Sequence, residues 1–127
     1  NKIIGKGYNQ KEKFNDPTAH AEMIAISAAS STVKNWRLIK STIYVTKEPC
    51  AMCAHAISIA RLDRLFFAAE DKKSGGVLNG PKIFESPSTH HKPEVISGIY
   101  SSESSNLLKN FFRIKRSQHK YRKSQGI

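Results

Sequence analysis

The sequence has few cysteines and no long apolar segment. Only two of its 127 residues are cysteines, Cys50 and Cys53, which excludes a disulfide-rich scaffold and any zinc site made of four cysteines. No apolar run is long enough to cross a bilayer, and no secretory signal pattern is recognisable. These absences predict a protein of the reducing cytoplasm that does not associate with a membrane.

Acidic residues are also scarce. The chain has 10 Asp and Glu against 21 Lys and Arg, a formal net charge of +11, and such an excess favours polyanionic partners, nucleic acid first. The imbalance is greatest beyond Glu103, the last acidic residue. This tail is either a solvated helix face or a phosphate-binding surface, and its basic residues are Lys109, Arg113, Lys115, Arg116, Lys120, Arg122 and Lys123.

The length and composition are those of one globular domain, with 39% hydrophobic and 24% charged residues. Predicted strands alternate with predicted helices, which indicates an α/β fold. We expect strands near 3–8 and at 41–47, 65–69 and 95–100, and helices at 19–30, 50–61 and, basic and amphipathic, within 103–123. The segments 10–16 and 71–93 are predicted loops.

Two cysteines at the predicted start of a helix could carry chemistry. A spacing of three places both sulfurs of Cys50 and Cys53 on one helical face. The positive potential of a helix start lowers thiol pKa values and favours thiolate. The spacing alone fits a zinc site, a redox pair or two buried side chains, and it does not decide among them.

A catalytic zinc site needs three protein ligands and one open position, so one histidine would complete the pair. His20 is the best candidate because Glu22 stands two residues away, and a buried glutamate among apolar neighbours is costly without a partner. Residues two apart on a regular helix point to nearly opposite sides. His20 and Glu22 can therefore share one pocket only if His20 lies at the very start of its helix.

These groups suggest one type of reaction. Zinc lowers the pKa of water toward neutrality, and Glu22 would take the proton of that water and pass it to a leaving amine. We expect hydrolytic deamination of an aromatic amidine such as cytosine, adenine or guanine.

The motifs His20-Ala21-Glu22 and Pro49-Cys50-x-x-Cys53 resemble the signature of zinc-dependent nucleobase deaminases. Within that group the chain is most similar to the TadA-type tRNA-specific adenosine deaminases, through residues 5–9, 16–22, 46–54, 67–75 and 107–113. The resemblance implies a three-layer cytidine-deaminase-like α/β fold with a central mixed sheet flanked by helices. It also implies conversion of adenosine to inosine at the tRNA wobble position.

The same resemblance assigns roles to residues. It makes His20, Cys50 and Cys53 the ligands of one Zn²⁺ per subunit and Glu22 the proton shuttle. It implies a homodimer that takes the tRNA anticodon loop. The implied substrate-binding residues are Asn9, Ala21, Asp71, Lys73, His90, Phe112 and Arg116.

The chain departs from the family in three places. His55 stands where the family has glycine, and His90 stands where it has asparagine before a histidine, here His91. The family's first helix and first strand have no counterpart, so residues 1–127 are interpreted as a single, N-terminally truncated zinc-dependent deaminase domain. The alternatives are a free-base cytosine or guanine deaminase and an inactive truncated fragment.

Overall fold

The fold consists of a small parallel sheet with helices between its strands. The structure, a computed structural model, describes residues 2–98 and, beyond them, residues 102, 103, 106, 107, 109, 110, 113, 114, 116 and 117. The α/β prediction is confirmed. The elements are α1 (Lys11–Phe14), α2 (Ala21–Val33), β1 (Thr42–Lys47), α3 (Ala51–Ile59), β2 (Arg64–Ala69), a 3-10 helix (Ile83–Glu85) and β3 (Glu94–Ser97).

The sheet determines where a site can form. Its strand order is β1-β2-β3, and both pairings are parallel. Leu65 pairs with Ile43 on one side and with Val95 on the other, while Lys47 pairs with Ala69 at the carboxyl ends. The chain therefore leaves β1 and β2 at the same edge of the sheet, where parallel α/β sheets usually bind ligands.

The core lies between this sheet and α3. The central strand β2 alternates buried with less buried residues, as a half-covered strand does. Leu65 and Phe67 point into the core and pack in one cluster with Ala54 and Ile57 of α3. One side of α3 is not covered, because Ile59 is exposed.

The segment 2–10 differs from its prediction because it forms no strand. It lies instead against α2, where an added Cβ on Gly5 would stand 2.5 Å from the Ala25 carbonyl and one on Gly7 would stand 2.7 Å from that of Ala21. Glycines permit this close approach of two backbones. Because no antiparallel strand joins the described sheet, its three strands are all parallel rather than mixed.

Other boundaries are close to expectation. The predicted strands at 41–47 and 65–69 are confirmed, the strand at 95–100 is observed as Glu94–Ser97, and the predicted loop at 10–16 contains the short α1. The described residues of 102–117 are helical and exposed, including Leu107. Leu108, Phe111 and Phe112 lie outside the described residues. No helix in the described part of the chain is both long and apolar enough to cross a membrane.

Truncation of Leu65 should destabilise the fold strongly. Leu65 is 0% exposed in the central strand β2, so Leu65→Ala should lower the free energy of unfolding by about 2–5 kcal/mol through lost burial and a residual cavity. Ile39→Ala is the control: Ile39 is 59% exposed, and a surface change of this kind typically stays within about 0.5 kcal/mol. Urea denaturation measures both, and equal losses would contradict this assignment of the core.

Candidate metal and catalytic centre

The site is built from the N-termini of two helices. His20 is the N-cap of α2 and Cys50 is the N-cap of α3, both with extended backbone (ψ 154° and 174°). Neither side chain hydrogen-bonds back to cap its own helix. The imidazole of His20 and the sulfur of Cys50 are turned toward each other instead, where the positive ends of both helix dipoles favour anionic ligands.

Three side chains converge with the spacing of a zinc site. His20 Nδ1 lies 3.6 Å from Cys50 Sγ and 3.6 Å from Cys53 Sγ, and the three ligand atoms all lie within 4.8 Å of one another. With Zn–S of about 2.3 Å and Zn–N of about 2.0–2.1 Å, tetrahedral angles give an N···S separation of about 3.6 Å. The two N···S distances therefore fit zinc coordination, and the imidazole beside both sulfurs favours a metal centre over a redox pair.

The surroundings of Cys53 fit the same interpretation. Burial raises the pKa of the Cys53 thiol far above its ordinary value, and the nearby Glu22 carboxylate and Cys50 add to the shift. A thiol in such a place becomes a thiolate only when a cation compensates its charge, as a bound metal does. The site is therefore suited to a cation.

Glu22 also faces this cluster. It lies in the first turn of α2, and its negative charge is close enough to the Cys53 thiol to help raise the pKa of that thiol. His20 and Glu22 can share the pocket because His20 is outside the helix, at the N-cap, with extended backbone. This is the arrangement that the spacing of two residues required.

Sequence reasoning missed Glu48, which is buried immediately before Pro49-Cys50. Its carboxylate is 4% exposed and accepts five hydrogen bonds from the loop 71–79. Burial alone would raise the pKa of Glu48, but these hydrogen bonds outweigh it and hold the pKa below its ordinary value. The donors are Asp71 N at 3.1 Å, Val77 N at 3.0 Å, Leu78 N at 3.0 Å, Asn79 N at 3.2 Å and Asn79 Nδ2 at 2.7 Å.

Asp71, an expected substrate contact, uses its carboxylate within the protein. Oδ2 lies 3.1 Å from Lys47 Nζ, while Oδ1 accepts hydrogen bonds from Lys73 N at 3.1 Å and Ser74 N at 3.0 Å. Asp71 therefore closes the turn at the start of the loop and ties it to the end of β1. The Lys73 side chain is exposed beside it.

The remaining predicted substrate residues lie in varied surroundings. Asn9 is exposed and accepts a hydrogen bond from Lys11 N at 3.2 Å, and Ala21 begins α2 beside His20. His90 is exposed, and its neighbour His91 is the one held in place, with Nε2 2.7 Å from the Leu62 carbonyl. Arg116 is helical and exposed, and Phe112 lies outside the described residues.

Comparisons with known proteins also relate this chain to deaminases. Residues 1–116 match the family described as MafB19-like deaminase. A tRNA-specific adenosine deaminase of Agrobacterium fabrum is 45% identical over 115 residues, which is 91% of this chain and 76% of that protein.

Two solved structures are similar. One, from a study of A-to-I editing by tRNA:A34 deaminases at the wobble position of transfer RNA, has a TM-score of 0.82 and 43% identity over 84% of this chain and 77% of that one. A guanine deaminase of Nitrosomonas europaea has a TM-score of 0.69 at 19% identity over 83% of this chain and 63% of that one. At that identity it shows the shared fold alone.

The Asp71 carboxylate should stabilise the fold in a pH-dependent way. Burial pushes its pKa up, but the hydrogen bonds from Ser74 and Lys47 and the charge of Lys47 outweigh this and lower it. A lowered pKa in the folded state adds stability above the ordinary carboxyl pKa of about 4, and that stability is lost as the pH falls through the folded value. Asp71→Asn should therefore lower the melting temperature at pH 7, and the difference from the unaltered protein should shrink on acidification. A difference in melting temperature that stays constant as the pH falls from 7 to well below the ordinary carboxyl pKa of about 4 would contradict this assignment.

Proposed function

The chain belongs to the MafB19-like deaminase family, and from that premise we propose that it hydrolyses adenosine to inosine and ammonia at the wobble position of tRNA. The observation that carries the proposal is the convergence of His20, Cys50 and Cys53 with Glu22 beside them. It occurs in a chain 45% identical to a tRNA-specific adenosine deaminase.

We propose that His20 Nδ1 and the sulfurs of Cys50 and Cys53 hold one zinc ion, a three-ligand set of the catalytic type. When bound, zinc would supply a water of lowered pKa for attack on C6 of the purine. Each of the ligands also has a supporting element: two are helix N-caps and Cys53 is in the buried first turn of α3.

Glu22 is the proposed general base and acid. Its carboxylate takes a proton from the attacking water and delivers it to the amino nitrogen, which leaves as ammonia. A general base must lie within hydrogen-bond reach of the proton that it moves. The interaction of Glu22 with Cys53 supports this role, because it puts the carboxylate beside the proposed metal ligands.

The basic helix supports RNA as the substrate. Lys109, Arg113 and Arg116 are helical and exposed, and their spacings of four and three put them on one helical face. Such a face can bind several phosphates of an anticodon stem. A free-base deaminase, the main alternative, needs no such surface.

The family resemblance extends the proposal to further residues and partners. We propose a cytoplasmic homodimer whose pocket receives an adenosine splayed out of the anticodon loop, since single-stranded loops release bases at low cost. The proposed contacts to the base and loop are Asn9, Ala21, Asp71, Lys73, His90, Phe112 and Arg116.

Inosine formation tests the reaction. The zinc-loaded chain should convert an anticodon stem-loop with adenosine at the wobble position, and Glu22→Gln should keep zinc while slowing conversion about 100-fold or more. Cys53→Ser should lose zinc and activity together. Zinc-loaded protein that leaves the stem-loop unchanged but deaminates free cytosine or guanine would support the free-base alternative, and the absence of both zinc and turnover would support an inactive fragment.

The salt dependence of RNA binding tests the basic helix. In the Glu22→Gln background, replacing Lys109, Arg113 and Arg116 by glutamine should reduce the slope of log affinity against log salt by about 0.7–0.9 for each phosphate that the helix no longer neutralises. The matched control replaces Lys34, Arg37 and Lys40 by glutamine. These residues lie at and beyond the C-terminal end of the 13-residue α2, whereas His20 lies at its N-terminal end. Equal slopes for the two triples would refute the assigned surface.

A further inference from the structure

The loop 71–79 is fastened to Glu48 at five points. The carboxylate of Glu48 accepts three backbone N–H groups at Oε2, and one backbone N–H and the Asn79 side chain at Oε1. An ionised carboxylate has only acceptors, so every donor is satisfied. Because Glu48 is 4% exposed, water cannot easily replace these bonds, and removal of the acceptor would leave buried amides unpaired.

The same loop lies directly on the start of α3. Gly76 N donates to the Pro49 carbonyl at 2.8 Å, and the Gly76 carbonyl accepts from Ile83 N at 2.8 Å. A Cβ added to Gly76 would stand 2.5 Å from Ala51 N and 2.8 Å from Cys50 C. Only glycine allows this approach, so Gly76 contacts the two peptide units on either side of Cys50.

Of the two cysteines among the candidate metal ligands, Cys50 depends more on such support. Cys53 is fully buried within α3, so its sulfur direction is set by the helix and the core. Cys50 is only partly buried and lies at the N-cap with extended backbone (ψ 174°). Its carbonyl accepts the first hydrogen bond of α3, from Ala54 N at 2.9 Å, but its own backbone is not helical. The direction of its sulfur therefore follows the local backbone, which the loop 71–79 holds in place.

We propose that Glu48 is a positioning residue for the metal centre: it clamps the loop 71–79 onto Pro49–Ala51 and thereby aims Cys50 Sγ at the site shared with His20. The inference rests on the proposed zinc site and not on the proposed tRNA substrate. Groups that orient metal ligands typically change metal affinity about 10- to 100-fold when they are removed. The clamp acts through backbone, so the effect is expected near the lower end of that range.

The test compares two Glu→Gln substitutions in the full chain, each of which removes one negative charge. Glu48→Gln puts an amide NH₂ where N–H donors now point, and should raise the rate of zinc loss to a chelator about tenfold. It should also shift the thiolate absorption bands of the Co²⁺-substituted protein. The matched control is Glu70→Gln, because Glu70 is exposed and accepts one hydrogen bond from the same Asn79 amide, at 3.0 Å. It should leave both readouts unchanged.

Two further variants keep the test decisive if Glu48→Gln does not fold. Asn79→Ala removes one hydrogen bond to Glu48 and should raise the rate of zinc loss by a smaller factor. Gly76→Ala keeps Glu48 but displaces the loop from Cys50 and Ala51, so it should shift the Co²⁺ bands as Glu48→Gln does. Circular dichroism verifies that each variant is folded. Folded variants with unaltered zinc release and Co²⁺ bands would overturn the proposal. Because these readouts need no RNA, they are separate from a failure to form inosine.

Discussion

The structure depends on the meeting of two helix N-termini at the carboxyl edge of a parallel sheet. α2 and α3 both begin at this point, with His20 and Cys50 as N-caps whose side chains face each other and not their own helices. Two positive helix ends this close repel each other unless negative charge lies between them. The sulfurs of Cys50 and Cys53 would supply that charge as thiolates when a bound cation makes the buried Cys53 thiolate tolerable.

Close backbone contacts hold the two helices in this arrangement. Gly5 and Gly7 let the first segment lie on the backbone of α2, and Gly76 lets the loop 71–79 lie on the start of α3. At each position a side chain would collide with backbone atoms, which cannot move aside as a flexible side chain can. Segments distant in sequence thus pack on the two helices that carry the candidate ligands. A metal centre needs ligands held in fixed positions, and this packing can hold them.

The parts of the molecule that the sequence predicts are those with local signals. β-branched and aromatic residues mark β1 and β2, and the paired motifs mark the two helix starts, so the cluster of His20, Cys50 and Cys53 could be expected before the structure. The strand predicted near 3–8 was wrong: its apolar residues are typical of a strand, but its glycines allow a close contact with α2. Glu48 could not be found at all, because its partners lie 23 to 31 residues away and a single acid before a proline carries no periodic signal. Contacts at that separation are visible only in three dimensions.

The arrangement of acids around the site has a bearing on its substrate. A pocket for an anticodon loop must not repel phosphates, yet the acid Glu48 stands two residues before Cys50 and is hydrogen-bonded to the backbone of a second acid, Asp71. Backbone amides surround the Glu48 carboxylate and Lys47 pairs with Asp71 at 3.1 Å, so neither presents an unpaired negative charge outward. Lys73 is exposed on the same loop. A pocket for an uncharged free base would need no such compensation, since phosphate repulsion does not arise there. The exposed charges of residues 70–73 are one acid, Glu70, and two bases, Lys72 and Lys73. This positive excess favours a polyanion over a free base, independently of the basic helix.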